Sequence, residues 1–354
     1  MKKVLSLAIA AALVAPAAAM ADATIYGKVR QSLDIVDFSD AGGDDEIQIN
    51  DRTSRLGVKG SEDLGNGLTG VYKIEYGVKI STNDVSGKEG NEFAGNGGLS
   101  ARNAFVGLAG GFGTFVIGRH DTPLKISTGS LDYFGDTAVD NNLGYTENLL
   151  DLRADGTVAY ISPAMGGLTA AIALVPGENT TEVEGEEADG LTDAYSIALM
   201  YSNFGVFASF AYESASVETT VHPGELSAAD LAALGASSED HDNMRFGIGY
   251  SHDMFKVGFI YDTIENTLDD STSMMLNGSV KAGPGNIKAK YFKVDSDDSL
   301  GGGLFRTASH DGFGFGYDYN LSKRTQVAAN YVSSEEDDSG NKSSVVSFQL
   351  NHNF

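Results

Sequence analysis

From residue 23 to its end the chain alternates apolar and polar residues with a period of two, run after run. Successive side chains of a strand point to opposite faces, so this rhythm specifies two-faced strands and argues against helices. ATIYGKVRQSLDIV (23–36) puts Ile25, Val29, Leu33 and Ile35 on one side and Lys28, Arg30, Ser32 and Asp34 on the other. GVFASFAYES (205–214) sets Val206, Ala208, Phe210 and Tyr212 against Ser209, Ala211 and Glu213. In MRFGIGYSHD (244–253) and GFGFGYDYN (312–320) the apolar side is Phe246, Ile248 and Tyr250, then Phe313, Phe315, Tyr317 and Tyr319. The other side is largely glycine.

The breaks between runs are of two kinds that take turns. Short ones carrying glycine or asparagine lie at 64–67, 110–113, 165–167, 202–205, 252–255, 283–286 and 320–324. Long acidic ones lie at about 38–50, 81–99, 120–150, 177–191, 216–242, 267–271, 295–307 and 333–342. Seven turns and eight loops separate sixteen strands. An up-and-down meander with turns at one end and loops at the other is the layout of an outer-membrane barrel. Periodicity alone leaves open a soluble sandwich or barrel with its apolar face inward. Three features favour the membrane. Charges recur on the polar face of neighbouring strands (Arg30, Arg55, Lys59, Lys73, Glu75), and the apolar face is aromatic near strand ends. In the last run, SVVSFQLNHNF, Val346, Phe348, Leu350 and Phe354 share one face, and closure would leave no unpaired edge for hydrocarbon to meet.

The first 21 residues read as an export signal outside the fold: Lys2 and Lys3, an apolar run, then Ala19-Met20-Ala21 as a cleavage pattern. The barrel domain is then 22–354, with no linker-like tract inside it. No mature stretch is a continuous apolar run long enough to cross as a helix. The chain has 0 Cys, which excludes cysteine catalysis, zinc-thiolate sites and iron–sulfur clusters. Its formal charge is −25, or −27 once the two leader lysines are gone, so nucleic acid is not an expected partner. GGDDE (42–46), EVEGEEADG (182–190) and SEEDDSG (334–340) read as solvated loops.

One loop stands out. After FVIGRH the strand pattern stops, and IGRHDTPLKISTGSLDYFGD (117–136) opens a polar stretch running to about Asn148. Loops longer than about 12–15 residues are uncommon unless functional or disordered, and the aromatic residues here argue against disorder. At this point NDRTSRLGVKGSEDLGNGLTGVYKIEYGV (50–78), SARNAFVGLAGGFGTFVIGRHDTPLK (100–125), RADGTVAYISP (153–163) and the terminal Phe354 resemble the trimeric general porins of Gram-negative outer membranes. The resemblance spans the mature chain and is most specific in RLGVKGSEDLG and FVGLAGGFGTFVIGRHDTP. It implies an all-β fold: a 16-stranded antiparallel transmembrane β-barrel with the third extracellular loop, about 120–150, folded into the pore. YFGD (133–136) resembles the tip of that loop. It further implies a homotrimer in the outer membrane, contact with lipid and lipopolysaccharide, and Phe354 as a signal for the barrel assembly machinery.

Passive diffusion of ions and small hydrophilic solutes needs no catalytic group, only a waist of fixed size crossed by a transverse field. The expected basic side is Arg30, Arg55, Lys73 and Arg153, joined through the resemblance by Arg102. Arg102 has the wrong parity beside Ala104 and Val106, which calls for a bulge or a place near the strand end. The expected acidic side is Asp132, Asp136 and Asp140, with Glu147 beside them and Glu75 either at the waist or pairing with a wall arginine. Weighing acidic mouths against an arginine waist leads to the expectation of a weak cation preference.

Other signals are set aside. The six histidines (His120, His222, His241, His252, His310 and His352) read as surface residues without metal-site spacing. DSDDSLGGG begins like a calcium loop, but Leu300 stands where glycine is needed and Arg306 where glutamate is needed. No cofactor is expected beyond divalent cations held loosely by acidic loops. GFGFG lacks the helix of a phosphate cradle. SAADLAALG (227–235) reads as one short loop helix between Ser227 and Gly235. A hydrolase would need Ser309, His310 and Asp311 to converge, and adjacent strand residues point apart. A solute-specific channel, with a track of Lys281, Lys288, Lys290 and Lys293 weakened by opposite parities, and a structural or adhesive barrel remain the alternatives.

Overall fold

A computed structural model of the chain describes residues 23–37, 45–81, 98–140, 151–176, 194–216, 240–265, 270–296, 309–337 and 339–354. The leader at 1–21, Glu147, EVEGEEADG, His222, the helix expected at 227–235 and most of DSDDSLGGG lie outside the described residues. The strands run in order β1 (Thr24–Asp37), β2 (Glu46–Asp51), β3 (Arg55–Gly65), β4 (Leu68–Val78), β5 (Leu99–Gly110) and β6 (Gly113–Asp121). A short helix, α1 (Pro123–Thr128), follows β6. Then come β7 (Arg153–Ile161), β8 (Leu168–Val175), β9 (Ala194–Asn203), β10 (Val206–Ser216), β11 (Asp240–Ser251) and β12 (Phe255–Glu265). The last five are β13 (Ser271–Ala282), β14 (Gly285–Ser296), β15 (His310–Asn320), β16 (Thr325–Glu336) and β17 (Lys342–Asn353).

All pair antiparallel with their neighbours in one sheet, which closes where β1 meets β17 from Lys28↔Asn353 to Asp37↔Ser344. The terminal residue seals the seam: Phe354 N–H donates to Gly27 O at 3.0 Å and Gly27 N–H returns to Phe354 O at 3.1 Å. Seventeen segments make sixteen staves, because β2 and β3 are two parts of one. β1 pairs with β3 along Thr24–Lys28 and with β2 along Gln31–Val36. At Arg52–Ser54 the chain steps out of line, with Thr53 at φ 58°, while Arg52 N–H still donates to Arg30 O at 3.1 Å. The acidic break expected at 38–50 therefore runs too far, since EIQIND from Glu46 onward is strand. Its alternation of Ile47 and Ile49 with Gln48 and Asn50 is too short to stand out against acidic flanks.

Two-residue turns match the strand twist when both central residues take positive φ. Asn66–Gly67 (53° and 76°) and Phe204–Gly205 (53° and 82°) do so.

Burial runs opposite to that of a water-soluble domain. Ile25, Ile47, Val106, Phe210, Phe315 and Leu350 are exposed, whereas Asp34, Asn243, Asp262 and Asn277 are 1% exposed or less. A continuous apolar exterior of this extent needs lipid, which removes the soluble alternative.

Two of the three apolar clusters lie between the barrel wall and the segment after β6; the third, Phe105, Val116, Ala159 and Ala173, joins β5 to β8. Thr122 caps α1 by accepting from Lys125 N–H (3.4 Å), and Pro123 opens it without losing a hydrogen bond. Leu124 packs with Ala171, Ala198, Met200 and Ala211 of β8 to β10. Leu131, Phe134, Ala138 and Val139 pack with Ile260, Met275, Phe292, Val332, Val345 and Val36. Burying a side chain such as Leu124, Leu131, Phe134 or Val139 stabilises by about 1.5–3 kcal/mol. The segment thus follows the inner wall from β8 round to β1.

Candidate functional site

Three carboxylates gather the charged side chains of the early strands. The first is Asp136, at the tip of the segment with φ 61°. Its carboxylate accepts from Arg30 Nη1 and Thr53 Oγ1, and from Arg55 Nη2 at 2.5 Å. Its N–H donates to Asp140, and its carbonyl accepts from Gln349 Nε2 at 2.9 Å. The step in the second stave at Thr53 makes this contact possible, by turning that hydroxyl toward the tip. Left-handed φ at two facing residues costs about 1–3 kcal/mol each and persists only where neighbours hold it. Burial would raise the Asp136 carboxyl, but Arg55, Arg30 and the Thr53 hydroxyl outweigh it and hold the group below the usual aspartate range.

The second is Glu75, which accepts from Arg102 Nε and from Tyr26 Oη, both at 2.7 Å, and pairs with Lys73 at 3.4 Å. Arg102 arrives by a bulge. The β4–β5 register runs Ile74↔Ala104 and then Tyr76↔Ala101, so Arg102 and Asn103 together oppose Glu75. The third is Asp121, which pairs with Arg153 Nη2 (2.8 Å) and Lys125 Nζ (3.5 Å) and accepts from Asn103 Nδ2 (2.7 Å). Arg153 Nε also donates to Asn103 Oδ1 at 3.0 Å. A second bulge, between the pairs Gly118↔Thr157 and His120↔Ala154, shapes this corner.

The structure therefore joins Arg30, Arg55 and Asp136, and separately Lys73, Arg102 and Glu75. Arg153 meets Asp121, which sequence reasoning did not single out. Asp132 faces Lys290 and Lys288 rather than the arginines, whereas Asp140 lies within electrostatic reach of Arg30. Asp132 accepts from Phe134 N–H at 2.9 Å, and burial raises its carboxyl against the opposing charges of Lys290 and Lys288. Asp140 is 8% exposed and holds the Asp136 backbone. Burial also pushes the Tyr133 phenol up to about 12.

Two further expectations are corrected. His120 is buried, not a surface residue, with its ring 5.1 Å from Phe105 and Nδ1 2.6 Å from Asp121 O. Among the four lysines only Lys293 has the opposing parity; it pairs with Asp295. Lys288 and Lys290 share the inner face but are engaged by the segment and the wall. Lys288 pairs with Asp318 at 2.9 Å and lies 4.6 Å from the Phe134 ring centroid, and Lys290 donates to Val139 O at 3.1 Å.

Behind the segment, Arg245 is clamped between Asp262 (2.8 Å) and Asp151 (2.5 Å), fully out of solvent. Arg52 sits likewise buried against Asp34 and Ser32. These buried pairs brace the wall on either side.

A closed barrel with lipid-facing apolar staves and ionised side chains inside is an outer-membrane channel. The family model for Gram-negative porins matches residues 7–339, and the chain belongs to that family. It is 31% identical to the major outer membrane protein P.IB of Neisseria gonorrhoeae over 209 residues, 55% of this chain but only about half (53%) of that relative. Its match to the P.IB protein of Neisseria sicca is 26% over 363 residues and covers 96% of each. Among solved structures, the anion-selective porin from Comamonas acidovorans superposes with a TM-score of 0.74 at 22% identity, over 95% of this chain and 100% of that one.

Proposed function

We propose that the protein is a diffusion pore for small hydrophilic solutes, with its waist between the early-strand wall and the segment from Thr122 to Asp140, and that the waist prefers anions. The observation that carries this is the imbalance of charge on that wall. Lys28, Arg30, Arg55, Lys73, Arg102 and Arg153 stand against Glu75 and Asp121 of the wall and Asp136 of the segment. This reverses the cation preference expected from sequence. The acidic runs belong to the loop end, and at physiological salt a charge is felt over only about 8–10 Å. Wall charges next to the solute therefore decide. The likeness to an anion-selective porin supports the same choice.

The proposal includes a homotrimer, recognition of Phe354 by the assembly machinery, and loop contacts with lipopolysaccharide. Purified protein in a planar bilayer under a salt gradient tests it. Ohmic steps closing in threes and a reversal potential of anionic sign are expected. A cationic reversal potential would overturn the selectivity, and inserted protein without current would overturn the channel.

A further inference from the structure

We propose that the size limit of the channel is set on the wall opposite the arginines, by glycines whose missing side chains let the segment sink toward the staves. This rests on the channel function proposed above. A Cβ placed on Gly314 of β15 would lie 2.2 Å from Val139 Cγ1. On Gly249 of β11 it would lie 2.5 Å from Leu131 Cδ2 and 2.9 Å from Val257 O, and on Gly247 2.7 Å from Ser209 Oγ, 2.8 Å from Thr128 Cγ2 and 2.9 Å from Leu131 Cδ1. On Gly316 it would meet Asn330 Oδ1 of the wall at 2.3 Å before Phe134 Cε1 of the segment at 3.0 Å. Carbon atoms in contact settle near 3.5–4.0 Å, so each of these seats is already full.

Left-handed backbone does not explain these glycines, and neighbouring backbone crowds only Gly249, through Val257 O at 2.9 Å. Gly247, Gly249, Gly314 and Gly316 are not among the positive-φ residues, and glycine weakens a strand interior by forfeiting packing and entropy. What they share is an occupant from the segment. Gly314 is the cleanest case, because Val139 is the only neighbour within 3.4 Å of its Cβ position. The segment has little freedom to slide. Its tip is clamped at Asp136, its helix rests on β9 and β10, and Lys290 holds the Val139 carbonyl. A side chain added beneath Val139 therefore drives the segment away from the wall and into the lumen. Depth of seating, not the size of the residues facing the solute, fixes the aperture on this side.

The test is Gly314→Val, with Gly314→Ala as the milder version, in the full-length protein. Single-channel conductance should fall roughly twofold for valine and less for alanine, with the sign of selectivity unchanged. Liposome-swelling rates for neutral sugars of increasing size should cut off earlier. Gly314→Val with Val139→Gly should restore both, since the occupant then makes room. Normal conductance and sugar cut-off in a heat-modifiable, folded Gly314→Val protein would overturn the inference. If valine prevents folding, Gly314→Ala with and without Val139→Gly decides the matter by the same two readouts. An absence of current in the unsubstituted protein would defeat the channel function instead, so the two failures are distinguishable.

Discussion

The two sides of the barrel interior are built on opposite principles. From β1 to β7 the wall carries long cationic side chains held by carboxylates at 2.5–3.5 Å. From β11 to β16 its charged groups, Arg245, Asp262, Lys288 and Lys290, are buried in pairs or beneath the segment, and the glycines and apolar residues between them are covered by Leu131, Phe134 and Val139. One side presents charge to the solute; the other receives a piece of the chain. If the two proposals hold, sign and size of the opening belong to separate strands, and substitutions on one side should leave the other property largely intact.

The largest effect that could break this contrast is at the brace behind the segment. Arg245→Ala would strand the buried Asp262 and take the arginine partner from the partly exposed Asp151, at a cost of about 3–5 kcal/mol. Heat-modifiable migration should shift to a lower temperature, and an unchanged transition would mean that the cluster does not brace the wall. Next comes Phe134→Ala, expected to weaken the seat by about 3 kcal/mol. Cleavage by added protease within 122–140 should become measurable and current noise should rise, while the reversal potential keeps its sign. A reversal of sign would merge the two sides and defeat the comparison.

A smaller effect concerns the clamp and its pH dependence. The Asp136 carboxyl is held below its ordinary value in the seated state. Its contribution is therefore complete above about pH 4 and is lost as pH falls through the lowered value. Acid should loosen the tip only below about pH 4, seen as flickering of the open level. Asp136→Asn should flicker at neutral pH and lose that acid response. The smallest is Lys73→Ala, whose partly exposed pair with Glu75 is worth about 0–1 kcal/mol. It should move the reversal potential slightly toward cations and leave the sugar cut-off unchanged.

Much of this was legible in period-two alternation. The stave number, the lipid-facing residues and the inward parity of Arg30, Arg55, Lys73 and Glu75 follow from it. Arg102 shows the limit: its parity conflict announced an irregularity, but only pairing places the bulge opposite Glu75. Thr53 was hidden because a left-handed φ in a β-branched residue has no local sequence signal; the cause is the distant Asp136. Asp121 lay at the border between strand and loop, where parity is least dependable. The seat left a trace that sequence reading did not interpret. Glycine alternating with aromatics in MRFGIGYS and GFGFGYDY is poor strand material, and such runs ask what approaches the wall.

The hydrogen bonds between Phe354 and Gly27 have a consequence for the order of events in biogenesis. The first strand waits for β17 and Phe354, so no stretch made before them can complete its pairing alone. Any shorter chain is a sheet with two raw edges, which hydrocarbon does not accept and which invite aggregation in water. Insertion must then be a single cooperative act, with a kinetic barrier raised by the longest possible sequence separation. The chain must be kept from collapse until β17 and Phe354 are delivered.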